Sequence, residues 1–198
     1  GNGTFCRRDS LRFVPSLFLR CFLMRIKKLT YGAMFLALGI VLPTVTSGIP
    51  EIGRALLPMH FPVFFAGLVL GPLYGLLLGI LTPLLRSFLF GMPPMLPIAL
   101  AMAFELGTYG FVIGYLYSRF TEKNWKTTLY SLLVSMLSGR IVWGIVDFFL
   151  LGLLGKSLSF SMFLSAVFLS SLPGILLQRI LIPLLMERLE KRNALQKG

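Results

Sequence analysis

The chain has 198 residues, of which 56% are apolar and only 13% charged, and its mean hydropathy is +0.84. A soluble domain carries about 25% charged residues, so this balance excludes an ordinary soluble fold and leaves an integral membrane protein. The net charge of +12 lies between apolar blocks, which fits lipid headgroups and membrane orientation and not nucleic acid.

Residues 1–23 hold a short apolar run broken by Pro15 and Arg20, well below the roughly 18–20 residues a span needs. No small-residue cleavage site follows, so a signal peptide does not fit. Met24, followed by Arg-Ile-Lys-Lys, looks like a natural start. Residues 1–23 are therefore set outside the fold, as an upstream extension or a basic interfacial segment. The membrane domain is expected over 24–192 and a cytoplasmic tail over 193–198.

Six spans are expected, near residues 26–43, 54–70, 72–90, 97–117, 129–153 and 160–186. In the first, Ala33 and Ala37 stand four apart and share a helix face, which lets another helix approach closely. That face serves either packing within the chain or a partner. Pro58 and Pro62 interrupt the second span, so one end of it is irregular, as lipid tolerates only where backbone is buried or lines a cavity. Gly71-Pro72 is a tight turn, with the proline suited to a first helical position. Residues 91–97, Gly-Met-Pro-Pro-Met-Leu-Pro, cannot continue a helix. Residues 118–128 form a charged loop. Pro173 and Pro183 are expected kinks in the last span.

Lysine and arginine set the orientation. Arg7, Arg8, Arg12, Arg20, Arg25, Lys27 and Lys28 precede the first span. Arg119, Lys123 and Lys126 follow the fourth, and Arg188, Lys191, Arg192 and Lys197 follow the sixth. Arg54 and Lys156 alone fall on the opposite side, fourteen against two. The fold expected is thus an all-α integral membrane protein with six transmembrane helices and both termini cytoplasmic. The segments at 44–53, 91–97 and 154–159 then face outside.

Arg86, Glu105, Arg140 and Asp147 are ionisable and lie within spans, where such groups mark function or pair with one another. Arg140 and Asp147 are seven apart on one face, about 10 Å along the axis, so pairing across helices is expected, for example Arg86 with Glu105 or Asp147. These side chains suggest a polar pocket open to the outside. Trp143 is placed as a stacking wall, and His60, Met59, Met92, Met95 and Phe90 at the mouth. Arg179 is expected to snorkel to headgroups. For each of these residues ordinary packing is the competing reading.

Nothing points to catalysis. The single His60 has no nucleophile motif such as GxSxG near it, and HExxH does not occur. Gly152 to Ser157 resembles a phosphate loop only superficially, since its first glycine is too close to Gly155-Lys156-Ser157. Cys6 and Cys21 form no metal-binding spacing. The chain is expected to be no enzyme, to bind no metal and no cofactor, and to carry no ATP site.

Three features together resemble the substrate-binding (S) components of energy-coupling factor (ECF) vitamin transporters. They are the small basic six-span chain, Ala33-Met-Phe-Leu-Ala37, which matches that family's AxxxA docking motif, and the glycine- and proline-punctuated Pro62 to Gly79. The resemblance covers Met24 to about Arg192. It implies a multi-pass protein of a bacterial cell membrane that captures a micronutrient from outside. It further implies docking through Ala33 and Ala37 onto a membrane scaffold subunit carrying two ATPases, which would energise delivery. Arg86 and Arg140 suit a carboxylate, which favours pantothenate or a folate. Neutralisation of those arginines by Glu105 and Asp147 would leave cobalamin, pyridoxine-like or queuosine-precursor solutes open. The competing expectation is a structural membrane scaffold of a cell-envelope assembly that binds no solute.

Overall fold

A computed structural model describes residues 15–46, 59–121, 124–153 and 181–188. Helix α1 runs Pro15–Thr46. It begins upstream of the expected Ile26, and its first turns fall within the segment that the sequence sets outside the fold. Arg20 interrupts an apolar run, but arginine is a good helix former, so the helix continues through it.

Helix α2, His60–Leu70, has only 11 residues and is buried almost all round. At 1.5 Å per residue it spans about 16 Å, roughly half of a bilayer core. A short helix that is apolar on every side belongs inside a bundle. Pro62 lies in its first turn, where the missing N–H has no helical partner to lose, so α2 is continuous through it. Residues 54–58, the rest of the expected second span, lie outside the described residues.

Gly71 closes α2 and opens α3. Its φ of 101° is accessible to glycine at no steric cost, and its N–H donates to the Gly67 carbonyl at 3.1 Å. Helix α3 then covers Pro72–Phe90, the range expected from sequence. It ends on Gly91 in the left-handed conformation, φ 68°, with the Gly91 N–H on the Ser87 carbonyl at 2.9 Å, a glycine C-terminal stop.

The expected loop at 91–97 is shorter than predicted. A π-helical turn over Met95–Ala99 follows, with Leu96 extended inside it, and leads into α4, Leu100–Arg119. Helix α5, Trp125–Leu153, starts four residues before the expected Leu129. Its start is capped by side chains. The Asn124 N–H donates to Thr127 Oγ1 at 2.9 Å, and Thr127 Oγ1 donates to the Asn124 carbonyl at 2.7 Å, so the first turn forms within a segment that reads as a charged loop. Residues 181–188 are helical, and Ile182 and Met186 join the core. The remainder of the expected sixth span, with Pro173 and Arg179, lies outside the described residues, as do Arg54 and Lys156.

Among the described residues the protein is all-helical, and four helices are long and apolar enough to cross a membrane: Phe22–Val45, Pro72–Phe90, Met95–Arg119 and Trp125–Leu153. Their outward faces carry Leu73, Leu77, Phe88, Leu137, Ile141, Phe148 and Phe149, all exposed. Such a surface would aggregate in water; in a bilayer it is the lipid-facing side.

Helix α4 is the centre of the bundle, packed against α2, α3 and α5. Glycines bring the backbones together. A Cβ at Gly75 would fall on the Gly110 carbonyl, one at Gly79 on the Leu106 carbonyl, and one at Gly114 would lie 2.7 Å from the Gly67 carbonyl oxygen. Small residues at helix crossings are the packing device of membrane bundles, where apolar burial between helices gives little driving force. The glycines of Pro62 to Gly79 therefore serve chiefly contact with α4.

Candidate functional site

Glu105 and Tyr109 stand one turn apart on α4, both almost wholly buried at 3% and 2% exposure. The Tyr109 hydroxyl donates to Glu105 Oε1 at 2.6 Å. Arg140 on α5 reaches the same oxygen with Nη1 at 3.3 Å. Gly139, the residue before Arg140, makes this possible. A Cβ there would strike the Tyr109 ring and lie 3.1 Å from the Glu105 carbonyl oxygen. The missing side chain lets α5 lie directly on the tyrosine, which brings the next side chain to the carboxylate.

Helix α2 completes the cluster. The His60 ring is tilted on Tyr109 with centroids 5.4 Å apart, and the Phe64 ring sits on Tyr109 at 5.3 Å. His60 is 4% exposed and Met59 is buried, so both lie inside the bundle and not at a rim. The cluster joins three helices, α4 to α5 through one ion pair and α2 through the Tyr109 ring. A lone carboxylate or guanidinium in a span is strongly unfavourable. Paired and hydrogen-bonded, the two offset much of each other's desolvation.

Arg86 stands apart from that pair. On the last turn but one of α3, its Nε donates to the Met92 carbonyl oxygen at 3.2 Å, just beyond the Gly91 stop. Its Nη1 is buried and makes no hydrogen bond. The Met92 side chain is 68% exposed, so the contribution of Met92 here is its backbone. The π-helical turn packs against α3, α4 and α5, so the ends of α3 and α5 near Arg86 and Asp147 lie at one end of the bundle. Asp147 is buried at 8% exposure, two turns along α5 from Arg140, and forms no ion pair among the described residues. Trp143 is partly buried between them.

The expected pairing across helices is present, but Glu105 takes Arg140 as its partner and Arg86 takes a backbone carbonyl. Tyr109, central to the cluster, escapes a reading that follows charge alone. Its signal is the four-residue spacing from Glu105, which puts the two on one helix face. Among the described residues no three His, Cys, Asp or Glu side chains gather as metal ligands.

On α1 the small residues divide. Gly32 and Gly39 are buried; a Cβ at Gly32 would lie within 4.0 Å of Leu70, Tyr74 and Leu78, and one at Gly39 would press on Thr82 of α3. Ala33 and Ala37 are exposed. The glycines are used in packing, and the alanines face away from the bundle.

The profile of the family described as ECF transporter, substrate-specific component, matches residues 27–186. No curated protein and no solved structure matches the chain. The match takes in α2 to α5 entire, with the buried ion pair, and most of α1 with its open alanine face. This multi-pass membrane protein belongs to the substrate-specific components of ECF transporters, the subunits that bind a small substrate and work with the other subunits of the transport module.

Proposed function

We propose that the chain captures a water-soluble vitamin or related micronutrient from outside a bacterial cell membrane and hands it to an ATP-driven module. Pantothenate or a folate is favoured, with cobalamin, pyridoxine-like and queuosine-precursor solutes as alternatives. Six transmembrane helices with both termini cytoplasmic put the Arg86 and Asp147 end of the bundle outside. The solute enters there, beneath the turn after α3, with Arg86, Glu105, Arg140, Trp143, Asp147, His60 and Met92 as the residues that line or frame its site.

The observation that carries this reading is the placement of the ionisable side chains. Glu105 and Arg140 meet beside the glycine-packed centre of α4, and Arg86 and Asp147 lie further toward the 91–99 end. The opposite end of α2 and α3, at Gly71-Pro72, is a tight turn between apolar helices. A bundle needing charges only as staples has no reason to gather them toward one end.

Docking is assigned to Ala33 and Ala37. They stay exposed on a helix whose glycines are already used inside the fold, and two alanines four apart permit close approach of another helix. The partner is a membrane scaffold subunit with two ATPases. Reconstitution tests the whole reading. The chain with such a module in liposomes accumulates the solute only when ATP is supplied on the module side; accumulation without the module or without ATP would exclude the mechanism.

A further inference from the structure

The buried charges do not all neutralise one another. Arg140 and Tyr109 both engage the Glu105 carboxylate, so that carboxylate and that guanidinium are matched. Arg86 has no carboxylate partner among the described residues. Its Nε is held by the Met92 carbonyl oxygen, and its Nη1 is buried with no hydrogen bond. A carbonyl contributes a dipole and leaves the full positive charge in place. Arginine does not shed that charge by deprotonation, and a guanidinium half withdrawn from water within a span calls for a counter-charge.

The geometry around Arg86 is that of a supported donor. Gly91 stops α3 in a left-handed turn and returns its N–H to Ser87. That turn directs the Met92 carbonyl back onto Nε. One edge of the planar fork is thereby fixed to backbone, and the amino groups are left as the edge that can meet two oxygens of one anion. Fixing the guanidinium in advance lowers the ordering cost of binding.

We infer that Arg86 holds an oxyanion, a carboxylate or a phosphate, at the Gly91 end of α3, with the 91–94 turn orienting its guanidinium. The anion belongs either to the captured solute or to an anionic lipid headgroup. The first source rests on the proposed solute capture, and the second does not. Arg140, already matched by Glu105, is the helix-to-helix partner and not the anion's.

The test uses the full chain in nanodiscs of phosphatidylcholine, with and without phosphatidylglycerol. Wild type, Arg86→Gln and Arg86→Lys are compared, each checked for a single symmetric elution peak. Radiolabelled pantothenate and folate report solute binding, and native mass spectrometry reports retained phosphatidylglycerol. If the solute supplies the anion, Arg86→Gln weakens its binding about tenfold or more, the worth of one charge-assisted contact, and Arg86→Lys less. If lipid supplies it, Arg86→Gln loses retained phosphatidylglycerol while any solute binding is unchanged. Arg86-dependent lipid retention without binding of either solute would uphold the anion site and count against those two solutes. Solute binding and lipid retention both indifferent to Arg86→Gln would overturn the inference while leaving solute capture standing.

Discussion

Arg140 on α5 meets the Glu105 carboxylate on α4 at 3.3 Å, with Tyr109 donating to the same oxygen at 2.6 Å. Helices α4 and α5 meet at that oxygen, α2 packs on the Tyr109 ring beside it, and Glu105 is nearly sealed from solvent. Removing one charge leaves the other buried alone, which typically costs about 3 kcal/mol or more. Glu105→Leu is therefore expected to lower the unfolding temperature of the detergent-purified protein clearly. The double variant Glu105→Leu with Arg140→Leu should recover much of the loss, because no charge is stranded. Equal destabilisation by the single and double variants would show that the pair does not act as a unit.

Tyr109→Phe separates the hydroxyl from the ring. The ring contacts with His60 and Phe64 persist, and one hydrogen bond to a charged acceptor is lost, worth about 1.5–3 kcal/mol. The expected shift is smaller than that of Glu105→Leu. A larger shift in the same thermal assay would contradict the order of importance assigned to the two groups.

Glycine packing gives a sharper contrast. At Gly75 an alanine Cβ falls on the Gly110 backbone carbonyl, which cannot swing aside, whereas Gly152 has nothing within 4 Å. Gly75→Ala should destabilise by about 1–3 kcal/mol, the range for overpacking. Gly152→Ala should raise stability by up to about 1 kcal/mol, since alanine is the better helix former. Similar behaviour of the two variants on thermal unfolding would mean that α3 and α4 are not as close as described.

Legibility in the sequence followed local chemistry. Helix α3 keeps its expected limits because Gly71-Pro72 and Gly91 mark them chemically. The start of α5 was hidden, since Asn124 and Thr127 cap it from within a charged segment and look like loop residues. The ionisable residues were visible one by one, but their pairing was not. Arg140 reaches Glu105 because Gly139 admits the Tyr109 ring, a tertiary contact that no spacing along one helix encodes. Likewise Gly32, Ala33, Ala37 and Gly39 look alike in sequence, and packing alone turns two inward and two outward.

That division on α1 leads to a split in phenotype. Replacing Ala33 and Ala37 together with leucine adds bulk at two exposed positions, so folding and solute binding should survive. Uptake in cells that supply the transport module should fall to background. Retained uptake would remove the docking role; loss of binding as well would show that the face contributes to the fold.

Capture of a small solute is the centre of the account, and mass spectrometry of molecules released on denaturing the purified protein tests it most directly. The account predicts one water-soluble vitamin or related micronutrient released in amounts close to that of the protein. A protein that releases nothing, and in its emptied form binds none of pantothenate, folate, cobalamin, pyridoxine or a queuosine precursor, would contradict it.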